Sequence, residues 1–201
     1  MKQPEIRFNG FSDKWVEKRL GDVLKVPEKV EATVTTNEQL LTVKLHGGGV
    51  HEMPSNKLLK LGSTKYYMRK AGQLIYGKQN FFNGSMAIIP SELDGKASSG
   101  DVPSFDIVNA DSNYLYQKIS QPEFYKRTED WASGTGSKRL HEKTIQQFPI
   151  QLPALPEQQK IGSLFSKYDA IIALREQKLE ELNALKKGML QQMFDDGVAT
   201  S

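Results

Sequence analysis

The sequence contains no cysteine, only three histidines and no long apolar run. The lack of cysteine excludes disulfide bonds, thiolate zinc sites and cysteine nucleophiles, and it fits a reducing cytoplasm. His46, His51 and His141 are too few to predict a histidine-based metal centre. Because no stretch of about 18 apolar residues occurs, we predict no transmembrane helix and no membrane partner. The opening MKQPEIRFNG lacks the apolar core of a secretory signal, so we expect a cytoplasmic protein.

Two further absences bear on function. No Pro-Pro dipeptide occurs, so the chain lacks the Asn/Asp-Pro-Pro-aromatic motif that a DNA base methyltransferase needs. Residues 53–91 contain no acidic residue, although they carry Lys57, Lys60, Lys65, Arg69, Lys70 and Lys78 together with five tyrosines and phenylalanines. A basic stretch interleaved with aromatic residues is typical of a surface that follows nucleic-acid phosphates. The alternative is a solvated sheet face that happens to lack acids.

The pattern of the first part predicts an α+β domain with a mixed sheet. A helix is predicted over residues 12–24, with Trp15, Val16 and Leu20 on one face. Short apolar or alternating runs predict strands at 41–45, 66–68, 74–76, 86–89, 105–108 and 148–152. Residues 93–102 are polar and rich in glycine and serine, which predicts a loop. Helical segments are predicted at 113–119 and 122–131.

The second part differs because residues 157–194 contain no proline and read as one long helix. We therefore place a domain boundary between residues 1–152 and 153–201. An apolar heptad stripe predicts a seam formed by Ile161, Leu164, Tyr168, Ile171, Leu182, Leu185 and Met189. Such a helix would be roughly 60 Å long, which exceeds what a small domain needs for its own core. The pattern favours a coiled coil with a second helix over a helix folded back on its own domain.

Two short motifs are similar to enzyme sites. Residues 72–79 have P-loop spacing, but the final position is Gln79 where a magnesium-binding Ser or Thr is needed, and the interior reads as a strand. Asp94 and Lys96 have the spacing of a nuclease Asp-x-Lys pair, but they lie in a polar loop with no clustered carboxylates. A small nuclease or nucleotide hydrolase therefore stays the weakest alternative.

Several segments in order resemble the specificity subunit of type I restriction–modification systems. They are residues 4–15 (PEIRFNGFSDKW), 19–23 (RLGDV), 72–78 (GQLIYGK), 82–85 (FNGS), 133–140 (SGTGSKRL) and, most specifically, 152–161 (LPALPEQQKI). The last segment, with Leu164, Asp169, Ile172, Leu179, Leu182, Lys186 and Phe194 after it, looks like the spacer helix of that family. The resemblance covers nearly the whole chain.

The resemblance implies a non-catalytic subunit that reads double-stranded DNA and holds modification (methyltransferase) subunits. It implies no cofactor in this chain, because S-adenosylmethionine belongs to the modification subunits, and a restriction subunit can join the complex. The family usually has two target-recognition domains and two antiparallel spacer helices, whereas this chain has one of each. We therefore expect a half-subunit that pairs with itself as an antiparallel coiled coil through residues 157–194. Alternatives are a truncated or swap-partner fragment and an oligomerisation adaptor.

Candidate DNA contacts follow from residue chemistry within this frame. Phosphate contacts are expected from Lys57, Lys60, Lys65, Arg69, Lys138 and Arg139. Base contacts are expected from Lys78, Gln79, Asn80, Asn83, Ser133, Thr135 and Ser137, since amides pair with adenine and cations with guanine. The alternative for each amide is a turn cap. The resemblance also implies that modification subunits grip Glu157, Gln158 and Asp169.

Overall fold

The computed structural model describes residues 4–56, 64–134 and 137–194 of the chain. The chain divides into two compact units, residues 1–162 and residues 163–201. We call residues 1–162 the head. The head therefore includes the first two turns of the C-terminal helix, and the division lies after the boundary at residue 152 that the sequence suggests.

The described strands are short and nearly all lie in antiparallel ladders. They are β1 (Val16–Arg19), β2 (Leu24–Lys25), β3 (Glu31–Ala32), β4 (Leu41–Val43), β5 (Val50–Glu52), β6 (Tyr66–Met68), β7 (Leu74–Tyr76), β8 (Met86–Ile88), β9 (Ala97–Ser99), β10 (Ser104–Ile107) and β11 (Pro149–Leu152). The helices are α1 (Leu20–Val23), α2 (Ser112–Ile119), α3 (Pro122–Tyr125), α4 (Glu142–Ile145) and α5 (Leu155–Phe194). The α+β class that the sequence predicts is confirmed.

The described strands form four small sheets. Their orders are β2-β10-β7-β8, β3-β6-β9, β4-β5 and β1-β11. A parallel bridge between Leu40 and Ala97 connects the hairpin strand β4 to the sheet that contains β9. The main core lies around β7, α1 and α2, and it buries Leu20, Tyr76, Phe105, Leu115 and Ile145.

The predicted helix over residues 12–24 is wrong for most of its length. Residues 16–19 are extended, because β1 pairs with β11 from Val16↔Leu152 to Arg19↔Pro149, and only Leu20–Val23 are helical. A ladder with a strand about 130 residues away outweighs the local helical pattern. The predicted loop over 93–102 also contains strand β9, which pairs with β6.

Arg69 joins two of the sheets from a buried position. Its guanidinium donates hydrogen bonds to Ser98 Oγ (2.7 Å), Ser104 Oγ (3.4 Å) and the Val102 carbonyl (3.3 Å). Ser98 belongs to β9 and Ser104 begins β10, so one side chain links the sheet that contains β6 to the sheet that contains β7. Because a buried guanidinium without partners is costly, these bonds fix how the two sheets pack.

The first two turns of α5 are built into the head by polar contacts. Arg7 donates two hydrogen bonds to the Glu157 carboxylate, at 2.8 and 2.7 Å, and this contact raises the pKa of Arg7. Glu157 is only 1% exposed. Gln158 accepts a hydrogen bond from the Asp111 backbone N–H (3.1 Å) and donates one to the Pro153 carbonyl (2.9 Å). Both side chains are buried, so the expectation that modification subunits grip Glu157 and Gln158 is wrong.

Gly162 allows α5 to approach α2 closely within the head. A Cβ at this position would overlap Asp111 Oδ1 and would lie 2.8 Å from the Tyr114 backbone nitrogen. Asp111 Oδ1 already accepts a hydrogen bond from that nitrogen, as the N-cap of α2 (2.8 Å). The close packing of α5 against α2 therefore requires a glycine at position 162.

Within the described residues, no helix combines the length and the apolar character that crossing a bilayer requires.

We expect Gly162→Ala to lower the free energy of unfolding of the head by about 1–3 kcal/mol, because the added methyl group forces α5 away from α2. Gly188→Ala is the matched control, since a Cβ there has nothing within 4 Å and alanine favours a helix. Denaturant unfolding followed by the fluorescence of Trp15 and Trp131, which pack edge-on against Tyr114 and Phe148, measures both. An unfolding midpoint of Gly162→Ala equal to that of the wild type would contradict this close packing of α5 against α2.

Candidate nucleic-acid interface

A small basic cleft of about 90 Å³ opens on the head. It lies where three connections between different sheets meet, namely β2–β3, β6–β7 and β9–β10. Its lining residues are Val26, Pro27, Lys29, Tyr67, Arg69, Lys78, Gly100, Pro103, Ser104 and Glu142, and we call this set the basic cleft. Three of them are cations and one is a carboxylate. The cleft therefore concentrates positive charge at a concave site.

Strand alternation on β6 places one of two adjacent tyrosines in the basic cleft. Tyr66 packs beside a small core of Val34, Leu40 and Ala97, whereas Tyr67 lines the cleft. Lys29 Nζ lies 5.7 Å and Arg69 Cζ lies 5.8 Å from the centroid of the Tyr67 ring. Both distances fit cation–π contacts, so the ring helps to hold two positive charges at the cleft.

Lys78 connects the basic cleft to the chain on both sides of it. Its backbone N–H donates to the Asp101 carbonyl (2.9 Å), and its own carbonyl accepts from the Leu140 N–H (2.8 Å). Its side-chain Nζ lies 3.3 Å from Glu142 Oε2, with 14% of the lysine side chain and 17% of the glutamate side chain exposed. Lys78 is thus a largely buried cation that is paired inside the head.

The two described ends of the loop predicted to read bases, residues 133–134 and 137–139, pair with each other beside Lys78, and we call these residues the turn. Ser133 and Arg139 exchange two backbone hydrogen bonds, at 3.0 and 2.8 Å, and Ser137 and Lys138 are exposed between them. Arg139 Nε lies 3.5 Å from Asp101 Oδ1. Because Asp101 and Leu140 both bond to the Lys78 backbone, hydrogen bonds connect the segment that carries Arg139 to the basic cleft.

Two of the predicted phosphate-contacting lysines are exposed and paired with acids. Lys65 Nζ lies 2.6 Å from Glu31 Oε1, and Lys138 Nζ lies 2.8 Å from Glu129 Oε1. These hydrogen bonds raise the pKa of both lysines. The side chains lie in solvent, where ion pairs are weak and exchange readily.

The predicted amide readers lie in the turn between β7 and β8. Asn83 Nδ2 donates to Asn80 Oδ1 (3.3 Å), which is a contact within the turn, while Gln79 is half-buried. The turn closes at Gly84, whose φ of +72° favours glycine, and a Cβ added there would lie 3.2 Å from the Tyr125 ring. At least part of the amide chemistry of Asn80 and Asn83 therefore stabilises the turn.

The phosphate role predicted for Arg69 does not fit its position. The residue is 4% exposed and its donors point at hydroxyl and carbonyl oxygens inside the head. Burial lowers its pKa, and the neighbouring Glu142 acts in the opposite direction. Lys57, Lys60 and Thr135, also predicted to contact DNA, lie outside the described residues.

Sequence reasoning missed three residues of this surface. Lys29 follows β2 between two glutamates, so the local charge balance hid it. Asp101 and Glu142 are acids, whereas the DNA-contact residues were predicted from positive charge and amide groups. The fold places Asp101 beside Arg139 and Glu142 beside Lys78. The pattern of cations in the sequence does not indicate which carboxylates pair with them in the fold.

The structure does not arrange the residues of the two enzyme-like motifs as a catalytic site. Asp94 Oδ1 accepts a hydrogen bond from the Ala71 N–H (2.7 Å), and Lys96 pairs with Glu52 (2.7 Å). Residues 74–76, inside the P-loop-like spacing, form β7. In the described part of the chain, no three acidic, histidine or cysteine residues are grouped to hold a metal ion.

The predicted seam residues of α5 fall into two groups. Ile161 packs against the main core of the head, so its assignment to a dimer seam does not fit. The other six have exposed side chains: Leu164, Tyr168, Ile171, Leu182, Leu185 and Met189. Leu174, Leu179, Leu190 and Met193 are exposed as well. Residues 163–194 therefore present a broad apolar surface, and its role in pairing stays a prediction.

Two curated proteins that match the chain are specificity subunits of type I restriction enzymes. The chain is 23% identical to the Type I restriction enzyme MjaVIII specificity subunit of Methanocaldococcus jannaschii, over 92% of this chain and 43% of that protein. It is 31% identical over 85 residues to the putative type I restriction enzyme MjaX specificity subunit of the same organism, which covers 42% of this chain and 20% of that protein. The chain spans less than half the length of these curated relatives.

Solved structures show the same fold at low sequence identity. The S subunit of a type I restriction–modification system from M. genitalium matches with a TM-score of 0.65 and 12% identity, over 98% of this chain and 50% of that one. The HsdS subunit from Thermoanaerobacter tengcongensis matches with a TM-score of 0.56 and 16% identity, over 95% and 52%.

The family match extends across head and helix. Residues 12–184 match the family described as the type I restriction modification DNA specificity domain, and this range includes the basic cleft, the turn at 133–139 and most of α5. The chain therefore belongs to the type I restriction modification DNA specificity family, which consists of DNA-recognition subunits without catalytic activity of their own.

Proposed function

We propose that the head reads one half of a bipartite double-stranded DNA target, and that α5 pairs with α5 of a second copy to bring two heads onto one target. The observation that carries this proposal is a head with a basic cleft and an exposed turn, which continues into a long helix with an exposed apolar face. The family match supplies the frame for both parts.

Different side chains of the head suit phosphate contacts, which position the protein on DNA, and base contacts, which read the DNA sequence. Lys29, Lys65 and Lys138 are exposed cations that suit phosphates, which fix register on a duplex. Ser133, Ser137 and Arg139 lie on the turn beside the basic cleft, where short polar side chains and a guanidinium suit base edges. Gln79 and Asn83 lie in the neighbouring turn. DNA shape adds to what these few contacts read.

The helix offers the means of pairing. Leu164, Ile171, Leu182 and Leu185 are exposed apolar side chains at seam positions of the heptad pattern, and such a stripe is stable in water when another helix covers it. An identical helix carries the same stripe, so a twofold antiparallel pair covers both. Two identical heads then read identical, inverted half-sites, and the length of the paired helices sets the gap between them.

Partner subunits complete the proposed function. Modification subunits that carry S-adenosylmethionine would methylate adenines at the chosen target, and a restriction subunit can join them. The chain itself supplies the choice of site.

An oligomerisation adaptor without DNA specificity is the second candidate, and the broad apolar surface of α5 favours it. Selection of bound fragments from a random duplex pool separates the two. Two identical inverted motifs with a fixed unread gap support the proposed function. Recovery of no common motif from a pool that the protein does bind, or no binding at physiological salt, supports the adaptor.

We expect Leu182→Glu to convert the dimer to a monomer at micromolar concentration, because a carboxylate would be buried in the seam. Ala173→Glu is the matched control, since it adds the same charge to the same helix at a heptad position away from the seam. Sedimentation equilibrium measures both. A wild-type monomer, or a Leu182→Glu variant that stays dimeric, would contradict pairing through this stripe.

We expect Arg139→Ala to weaken duplex binding and to lower the slope of log K against log salt by about one, because one phosphate or base contact from a cation is lost. Lys118→Ala removes an equal charge from a different cleft, which Glu17, Arg127 and Ile150 line, and it should leave the slope unchanged. Fluorescence anisotropy at several salt concentrations gives the slopes. Equal slopes for the wild type and Arg139→Ala would place the DNA elsewhere.

A further inference from the structure

The basic cleft already contains an anion, which the protein itself supplies. Glu142 is the one carboxylate among the lining residues, and its Oε2 atom lies 3.3 Å from Lys78 Nζ. Both side chains are more than four-fifths buried. The carboxylate thus takes up a contact with Lys78 that a phosphate oxygen in the cleft would also make.

The other cations of the cleft are not satisfied by carboxylates among its lining residues. Arg69 donates to serine hydroxyls and to carbonyl oxygens, which are neutral, and Lys29 lies over the Tyr67 ring. Three positive charges therefore share one negative charge at the cleft. Removing that negative charge would leave a concave site with uncompensated positive charge and an aromatic wall.

The burial of the Lys78–Glu142 pair distinguishes it from the other pairs on this surface. Lys138 and Glu129 are each 50% exposed, so solvent screens their attraction and a phosphate can replace the carboxylate at little cost. In the cleft the effective dielectric is lower, so the attraction between Lys78 and Glu142 is stronger. A freed Glu142 would also lie beside the incoming phosphate and repel it.

We propose that the basic cleft is a binding site for a phosphodiester group of the DNA backbone, and that Glu142 competes for it as a built-in anion. The inference rests on the proposed DNA-reading function. A backbone phosphate enters when Glu142 leaves Lys78, so the carboxylate weakens the hold of the head on every duplex. Because phosphate contacts dominate binding to unrelated DNA, Glu142 limits the time that the protein spends on such DNA.

The test uses the full chain and a labelled duplex of about 30 base pairs with unrelated sequence, titrated at several salt concentrations. Glu142→Gln should bind this duplex about three- to tenfold more tightly than the wild type, with a steeper salt dependence. Glu129→Gln removes the same charge from the exposed pair and is the matched control, with a change below twofold. The gain from Glu142→Gln should disappear when Lys78→Gln is added, because the phosphate then lacks its cation.

A second variant guards against a folding defect at residue 142. Glu142→Asp keeps the net charge and a favourable residue in the first turn of α4, but it withdraws the carboxylate from Lys78. It should bind more tightly than the wild type and less tightly than Glu142→Gln. Thermal melting checks that each variant is folded.

The outcomes separate this inference from the proposed function. Wild-type protein that binds no duplex at any salt concentration overturns both. Wild-type protein that binds, with Glu142→Gln no tighter than Glu129→Gln, overturns the phosphate exchange alone. A gain from Glu142→Gln that persists beside Lys78→Gln also overturns it, because the charge would then act over the whole surface and not at the cleft.

Discussion

One buried guanidinium, that of Arg69, holds together the two sheets that border the basic cleft. Its hydrogen bonds to Ser98 and Ser104 connect two sheets, and the gap that it bridges becomes the basic cleft. A charged group inside a protein must have partners, so the strands that carry those partners have little freedom to move. The positions of Tyr67 beside it and of Lys78 across the cleft follow from this packing. A residue that the composition assigns to the DNA surface is therefore part of the frame that shapes that surface.

A second set of buried polar contacts builds the start of α5 into the head. Arg7 and Glu157 form a bidentate ion pair, Gln158 bonds to the backbone on both sides, and Gly162 permits contact with the N-terminus of α2. Breaking one partner of such a pair leaves a charge without compensation, so the arrangement is specific even where its net contribution to stability is small. The same helix continues into an exposed apolar surface. One continuous helix thus joins the head, for which we propose DNA reading, to the surface that we propose for pairing.

The sequence predicts those parts of the structure that depend on local pattern. Strands at 66–68, 74–76 and 86–88 and the long helix follow from periodicity. Residues 16–19 were mispredicted because their partner strand begins at Pro149, and nothing local reports so distant a pairing. Arg69 and Glu157 were placed on surfaces because charge usually means exposure, yet both are buried with partners. Lys29, Asp101 and Glu142 join the candidate interface only through the folding of separate segments.

We propose that this chain, as a member of the type I specificity family, chooses the DNA sites that modification subunits methylate. Single-molecule methylation mapping in cells that express the chain together with a modification subunit tests the claim directly, with cells lacking the chain for comparison. The account predicts a new methylated motif with two identical inverted halves and a fixed gap. Two unlike halves would contradict self-pairing, and no new methylation with the modification subunit present and folded would contradict the claim itself.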